Sequence, residues 1–481
     1  MGHPGAVACP AMIARAGLAI SRLFYRTCPD PFVIAVGLTV LTFGLAMWLG
    51  TFPAAGEPLS PADRALALLD VWRGDRGFWK LLAFGMQMCL VLVTGHALAA
   101  APTVRRAIDR MAALPGGARS ASAFVALAAG VAGLLNWGFG LVVGALLARA
   151  VGRSLARRGR ASHYPLLAAA GYMGLLVFHG GLSASAPLST TSRAQALKVL
   201  PESAVELLGA GVPLDRTLLS PLNLLVTGGL VIILPILFAL LTPRAEQCQP
   251  PPDQVIHDLP LPQSQEQPHM KPATLPEWLD RLPVVTLVLA IPLLLAFLRS
   301  LWLVGPLSVG LNEVNMGMLA MGLLLHPSPR SYLAAVEDGA RDCSGVILQF
   351  PIYAGVIGMM EASGLVGRMA SGFAALGDAR TMPVLSFWAA TLVGLFVPSG
   401  GAQWGLQGEI ALRSGIAAGV DPGTMIMSVA YGDELANMLQ PFWALPLLAI
   451  TGVKARDIVG YTAVAMLVAG AWMTLALALA A

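Results

Sequence analysis

The chain has 481 residues, 56% of them hydrophobic and only 12% charged, and its mean hydropathy is +0.72. That leaves too little polar surface for a soluble globule and indicates a polytopic membrane protein. The net charge of +4 resides mostly in loop arginines, which orient membrane helices and require no nucleic-acid partner. Cys9, Cys28, Cys89, Cys248 and Cys343 lack the paired spacing of a disulfide framework or a zinc site.

In chain order, the first 26 residues carry Arg15, Arg22 and Arg26 among small apolar residues, with no long hydrophobic run leading to a cleavage site. They read as a retained interfacial helix. Apolar runs of roughly 20 residues, enough to cross a bilayer, follow near 31–50, 81–101, 164–190, 219–241, 283–304, 307–325, 343–361, 422–448 and 458–480. Two further stretches, 121–148 and 383–412, are interrupted at mid-membrane depth. The interruptions are Asn136-Trp137-Gly138-Phe139-Gly140 and Pro398-Ser399-Gly400-Gly401-Ala402-Gln403-Trp404. Unpaired backbone groups in hydrocarbon cost several kcal/mol each, so such irregular backbone must be buried in protein or line a cavity.

Arginines set the expected topology. Arg105, Arg106, Arg110 and Arg119 precede 121–148, and Arg149, Arg153, Arg157, Arg158 and Arg160 follow it. Both flanks are therefore cytoplasmic and the segment is a re-entrant hairpin with Asn136 and Trp137 near its tip. Continuing the count makes the N-terminus and the loop 242–282 cytoplasmic, opens 383–412 from the outer face, and leaves the C-terminus periplasmic. A sparse repeat agrees: Gln87 and Gln349, like Asn136 and Pro398, lie 262 residues apart, and Tyr172 and Tyr431 lie 259 apart. The expected fold is an all-α polytopic membrane protein of about nine to eleven transmembrane helices in two inverted repeats, each with a re-entrant hairpin and a broken helix. Its expected divisions are an N-terminal segment 1–30, a first repeat 31–241, a flexible Pro/Gln-rich cytoplasmic linker 242–282, a connecting helix 283–306 and a second repeat 307–481.

Two more polar clusters break spans: His179-Gly180-Gly181-Leu182-Ser183-Ala184-Ser185-Ala186-Pro187, and Tyr431-Gly432-Asp433-Glu434-Leu435-Ala436-Asn437-Met438-Leu439-Gln440-Pro441. Half-helix N-termini attract an anion and freed carbonyls suit a cation. The candidate substrate-binding residues are Asn136, Trp137, Gly138, Ser183, Ser185, Ser399, Gly400, Gly401 and Gln403. Those for cation coupling are Asp433, Glu434, Asn437 and Gln440, since adjacent acids within an apolar span are costly to insert. The coupling ion is sodium or a proton, with four helix breaks favouring sodium. His96 and His179 read as hydrogen-bonded within the bundle, since neither has a second histidine at ligand spacing, and Glu361 ends its helix at the outer surface. Gly138-Phe139-Gly140 with Gly144 has the wrong spacing for a dinucleotide fingerprint, and Gly140 with Gly144 suits close helix packing. No nucleophile with a base, Walker motif or zincin motif is present, so no enzyme is expected, and neither is a cofactor or resident metal.

Trp79-Lys80-Leu81-Leu82-Ala83-Phe84-Gly85-Met86-Gln87-Met88, Asn136-Trp137-Gly138-Phe139-Gly140-Leu141-Val142-Val143-Gly144, Val397-Pro398-Ser399-Gly400-Gly401 and Gln440-Pro441-Phe442-Trp443-Ala444-Leu445-Pro446 resemble the bacterial short-chain fatty acid transporter family, from Pro29-Asp30-Pro31 to the last span. The resemblance implies an inner-membrane uptake carrier for butyrate, acetoacetate and similar monocarboxylates, within an ion transporter superfamily of homodimers with opposed hairpins and elevator motion. The chain departs from the family pattern at Asp433-Glu434, where an acid followed by glutamine is usual, and at His179-Gly180-Gly181, where the run is more glycine-rich. A C4-dicarboxylate or acyl-amino-acid carrier of the same superfamily, an anion channel and a membrane acyltransferase are the alternatives.

Overall fold

A computed structural model describes residues 4–256, 274–305, 310–341 and 343–480. All regular structure among them is helical. Several helices begin at a polar residue followed by proline, which accepts an otherwise orphaned N–H and fixes the first helical φ: Asp30-Pro31, Ser60-Pro61, Ser220-Pro221 and Asp421-Pro422.

After α1 (Pro4–Thr27), the first half runs α2 (Pro31–Leu49), α3 (Pro61–Arg73), α4 (Leu82–Ala100) and α5 (Pro102–Ala113). The hairpin α6 (Ala118–Leu135) and α7 (Trp137–Arg157) follows, then α8 (Tyr164–Gly171), α9 (Ser185–Ser189), α10 (Arg193–Ala196), α11 (Glu202–Leu208) and α12 (Pro221–Leu241). Next come α13 (Asp253–Ile256), α14 (Leu275–Arg281) and α15 (Pro283–Val304). The second half runs α16 (Leu311–Leu325), α17 (Pro329–Arg341), α18 (Ser344–Ala362) and α19 (Leu365–Ala374). It continues with the hairpin α20 (Met382–Gly394) and α21 (Gly400–Ala417), the pair α22 (Pro422–Ala436) and α23 (Pro441–Thr451), and α24 (Ala455–Ala480). Among the described residues eight helices are long and apolar enough to cross a membrane: α2, α4, α6, α7, α12, α15, α18 and α24.

The halves match element by element. α4 packs on α16 and α17 as α18 packs on α2 and α3, and α6 meets α7, α8 and α12 as α20 meets α21, α22 and α24. The matched helices α3 and α17 each have 13 residues and start alike: Ser60 Oγ accepts from Asp63 N–H at 3.2 Å, and Ser328 Oγ from Ser331 N–H at 3.2 Å. α15 stands between the two matched halves.

The structure modifies several expectations. The run 164–190 is not a continuous helix: after α8 come two 3-10 turns, Met173–Leu176 and Phe178–Gly180, before α9. Tyr172 ends α8 whereas Tyr431 lies inside α22, so these tyrosines are not equivalent. Asn136 and Ser399, which cap α7 and α21, are equivalent. α1 packs on α12 and α24. The start of the linker 242–282 is not a free tether: Tyr164 N–H donates to the Gln249 carbonyl at 2.8 Å and Gln249 N–H to His163 Nδ1 at 3.1 Å. Gln263, Gln265 and Gln267 lie outside the described residues. α7 is 21 residues long and long and apolar enough to cross a membrane, with its apolar part ahead of Arg149 about 12 residues, roughly 18 Å.

Candidate functional site

The hairpin tips and the broken helices converge on one cavity of about 320 Å³, in the range of small-ligand sites. Trp137 from the first tip and Ser399, Gly400 and Gly401 from the second line it, with Ser185 at the start of α9. Phe84 and Gln87 of α4, Leu175 and Phe178 of the broken stretch, Trp443 of α23 and Gly310 to Glu313 at the start of α16 complete the wall. No lysine, arginine or histidine is among these lining residues.

The two tips differ in what they leave available. In the first, Asn136 Oδ1 accepts from Gly138 and Phe139 N–H at 3.0 and 3.1 Å, while Ser183 Oγ accepts from Trp137 N–H at 2.9 Å. Its leading amides are thus satisfied internally, and Asn136, Gly138 and Ser183 build the tip without lining the cavity. In the second tip, Ser399 Oγ accepts from Ala402 N–H at 3.4 Å and the Ser399 carbonyl from Gln403 N–H at 2.8 Å. The N–H groups of Gly400 and Gly401 have no acceptor among the described residues. They form the first turn of an 18-residue helix, where backbone donors and the helix dipole favour an anion.

Directly behind Gly400 lies a buried cluster. His179 Nε2 is 2.7 Å from Asp433 Oδ2, and His179 N–H donates to Glu434 Oε2 at 2.9 Å. Ser185 N–H donates to His179 Nδ1 at 3.3 Å. Because Nδ1 accepts from a backbone amide, the imidazole hydrogen is on Nε2 and donates to Asp433. Glu434 is fully buried and its Oε1 has no hydrogen-bond partner among the described residues. A Cβ on Gly400 would stand 2.7 Å from His179 Nε2 and 3.0 Å from Asp433 Oδ2, whereas one on Gly401 would meet nothing within 4 Å. Glycine at 400 is therefore what lets the second tip rest on the His–Asp pair.

The remaining candidates support the breaks. Gln403 is buried and donates to the Ala390 carbonyl at 2.8 Å. Asn437 Nδ2 donates to the Leu175 carbonyl at 3.3 Å, and the Asn437 carbonyl accepts from Tyr172 OH at 3.0 Å. Gln440 caps α23 through Phe442 N–H at 3.3 Å and donates to the Leu395 carbonyl at 2.6 Å. Residue-type reasoning missed three contributions. His179 is a partner of both acids. Asn223 braces the breaks by donating to the Gly180 carbonyl at 3.0 Å and accepting from Tyr431 OH at 3.0 Å. Phe84 and Trp443 wall the cavity. A histidine and an asparagine inside apolar runs were the available signals; the aromatic wall has none, because its rings come from distant segments.

A family profile described as "Short chain fatty acid transporter" matches residues 12–480. A protein of Escherichia coli (strain K12) named for short-chain fatty acid transport is 38% identical over 471 residues, covering 97% of this chain and 100% of its own length. One of the same name from Haemophilus influenzae is 34% identical over 456 residues, covering 95% of this chain and 97% of its own. Among solved structures, the chain is similar to Neisseria gonorrhoeae MtrF, from a class of antimetabolite efflux pumps, with 15% identity, TM-score 0.40 and coverage of 95% and 96%. It is also similar to the Alcanivorax borkumensis YdaH transporter, with 16% identity, TM-score 0.43 and coverage of 94% and 97%.

Proposed function

Because this chain belongs to the short chain fatty acid transporter family, and is thus a transporter and not an enzyme, we propose that it takes up butyrate, acetoacetate and similar monocarboxylates across the bacterial inner membrane by proton symport. The observation that carries this reading is the pair of unpartnered amides at Gly400 and Gly401, which open on a cavity walled by Phe84, Trp137, Phe178 and Trp443. The amides receive the carboxylate and the rings receive the acyl chain.

Coupling follows from charge. A short-chain acid is almost wholly ionised at pH 7, and carrying it into a negative cell costs about 2.3 kcal/mol per 100 mV. A helix N-terminus contributes at most about 2 kcal/mol, too little to offset a buried carboxylate's lost hydration. A co-transported cation supplies the rest. The cluster behind Gly400 supports a proton over sodium: one oxygen of each acid is already bonded to His179, and the other oxygen of Glu434 faces no donor. A proton there removes an uncompensated buried charge.

A dicarboxylate or acyl-amino-acid carrier would need a further cationic group, and the wall carries Glu313 instead. The N-terminus is assigned to the cytoplasm and the C-terminus to the periplasm from the arginine distribution. Elevator movement within a homodimer follows from the superfamily resemblance; the hairpins and broken helices form one packed unit, while α2 and α15 are the least buried spans. The reading is tested by uptake of labelled butyrate into proteoliposomes. Accumulation driven by an inward proton gradient, competed by monocarboxylates but not by succinate, is expected. Accumulation that follows sodium alone would replace the coupling ion, and the absence of any saturable butyrate uptake would overturn the reading.

A further inference from the structure

Part of the cavity wall is a contiguous set of rings from three separated segments, Phe84, Trp137 and Trp443, and two of them, Phe84 and Trp443, also pack on the aromatic core. Trp443 stands edge-on to each neighbour: to Trp137 at 4.9 Å between centroids and 73° between planes, to Phe442 at 5.0 Å and 89°, and to Phe84 at 5.9 Å and 84°. On the far side of it, Phe442 lies stacked on Phe350 at 4.0 Å, and both are almost fully buried. Trp137 and Phe84 line the cavity, whereas Phe442 and Phe350 do not. The indole of Trp443, beside the Phe84 ring that stacks on Phe350 at 5.8 Å and on Phe442 at 6.4 Å, thus stands between the substrate cavity and the close-packed aromatic core.

An acyl chain anchored by its carboxylate at Gly400 and Gly401 can lengthen only until it meets a wall that does not yield. A cavity lined by flexible methionines would adapt to longer chains; rings held edge-on by three neighbours have no alternative rotamer without displacing the whole stack. The geometry points to Trp443 as the residue that sets the upper limit of acyl-chain length, with Phe84 and Trp137 holding its indole in place. This inference rests on the monocarboxylate reading above and adds to it a specificity-determining residue. Below the limit each added methylene strengthens binding about fourfold through burial. Beyond the limit the chain must either displace the indole or remain bent within the cavity, and affinity falls.

Removing the indole converts its volume into cavity space bounded by the Phe442–Phe350 stack. The test is competition of labelled butyrate uptake by unlabelled straight-chain acids from acetate to decanoate in proteoliposomes, for wild type, Trp443→Ala, Trp443→Leu and the control Trp302→Ala. Trp302 is 88% exposed on α15, away from the cavity. In wild type and in the Trp302 variant, affinity is expected to rise with chain length and then break. In the Trp443 variants the break should move to longer acids, with the octanoate-to-butyrate affinity ratio raised at least tenfold and a smaller displacement for leucine than for alanine. The leucine variant preserves apolar packing and keeps the test informative if the alanine variant is recovered poorly. A length profile unchanged in a Trp443 variant that still transports butyrate overturns the inference and leaves the transport reading intact. Wild-type protein that takes up no monocarboxylate overturns both.

Discussion

Gly400 and Gly401 are neighbours in sequence, in helix position and in chemistry, yet the structure gives them opposite tolerance to a methyl group. Alanine at 400 places Cβ 2.7 Å from His179 Nε2 and 3.0 Å from Asp433 Oδ2; ordinary contact begins at 3.4 Å, so the nearer gap must open by about 0.7 Å. The His–Asp hydrogen bond, 2.7 Å long, is then broken or the second tip lifts off the pair. Loss of a buried hydrogen bond to a charged group costs about 1.5–3 kcal/mol, a factor of roughly 10 to 150. Alanine at 401 meets no protein atom within 4 Å and leaves the His–Asp pair undisturbed, so its methyl, which enters the substrate cavity, should change butyrate affinity without loss of folded protein. Initial rates of butyrate uptake in proteoliposomes, normalised to folded protein by size-exclusion chromatography, measure both. Normal uptake by Gly400→Ala would refute the placement of the tip on the His179–Asp433 pair.

Glu434→Gln keeps an oxygen to accept from His179 N–H but removes the charge; it should abolish accumulation under a proton gradient while exchange of labelled for unlabelled butyrate continues, and undiminished accumulation would move coupling to Asp433. Cysteines introduced at the exposed positions of Arg119 and Arg157 in a cysteine-free background should both resist an impermeant thiol reagent in intact cells, and labelling of only one would mean that α6 and α7 do not return to the same side. His163, in the loop ahead of α8, is held neutral by burial with its pKa down at about 4, against an ordinary value near 6.5. The unfolded chain therefore binds the extra proton between about pH 6.5 and 4, so stability falls as pH falls, by about 1.4 kcal/mol per pH unit and roughly 3 kcal/mol in all. Thermal unfolding in detergent should show a shallower acid slope for His163→Gln, and identical slopes would remove His163 as the cause.

The sequence by itself determined the membrane class, the positions of six spans and the helix interruptions, whereas 164–190 and 422–448 are broken and 307–325 holds a helix of only 15 residues. These are local properties: an apolar run of sufficient length can span, and a polar capping residue beside glycine or proline favours a break within it, although the single prolines Pro235, Pro292 and Pro351 are carried inside unbroken helices. Asn136 and Ser399 were legible as special positions for that reason, although the structure commits both side chains to capping their own helices. Which donors remain available was a tertiary outcome. The tips look alike in sequence, but only the first finds an extra acceptor, Ser183, on the neighbouring broken stretch, so the Gly400 and Gly401 amides are the ones left open to the cavity. His179 and Asp433 are 254 residues apart and meet because the two halves bring the 3-10 turn ending at Gly180 against α22. The aromatic wall has the same origin: Trp137 stood out in sequence at its helix interruption, but Phe84 and Trp443 are unremarkable in apolar segments, and only the packing of α4, the first tip and α23 decides that the three meet beside a cavity.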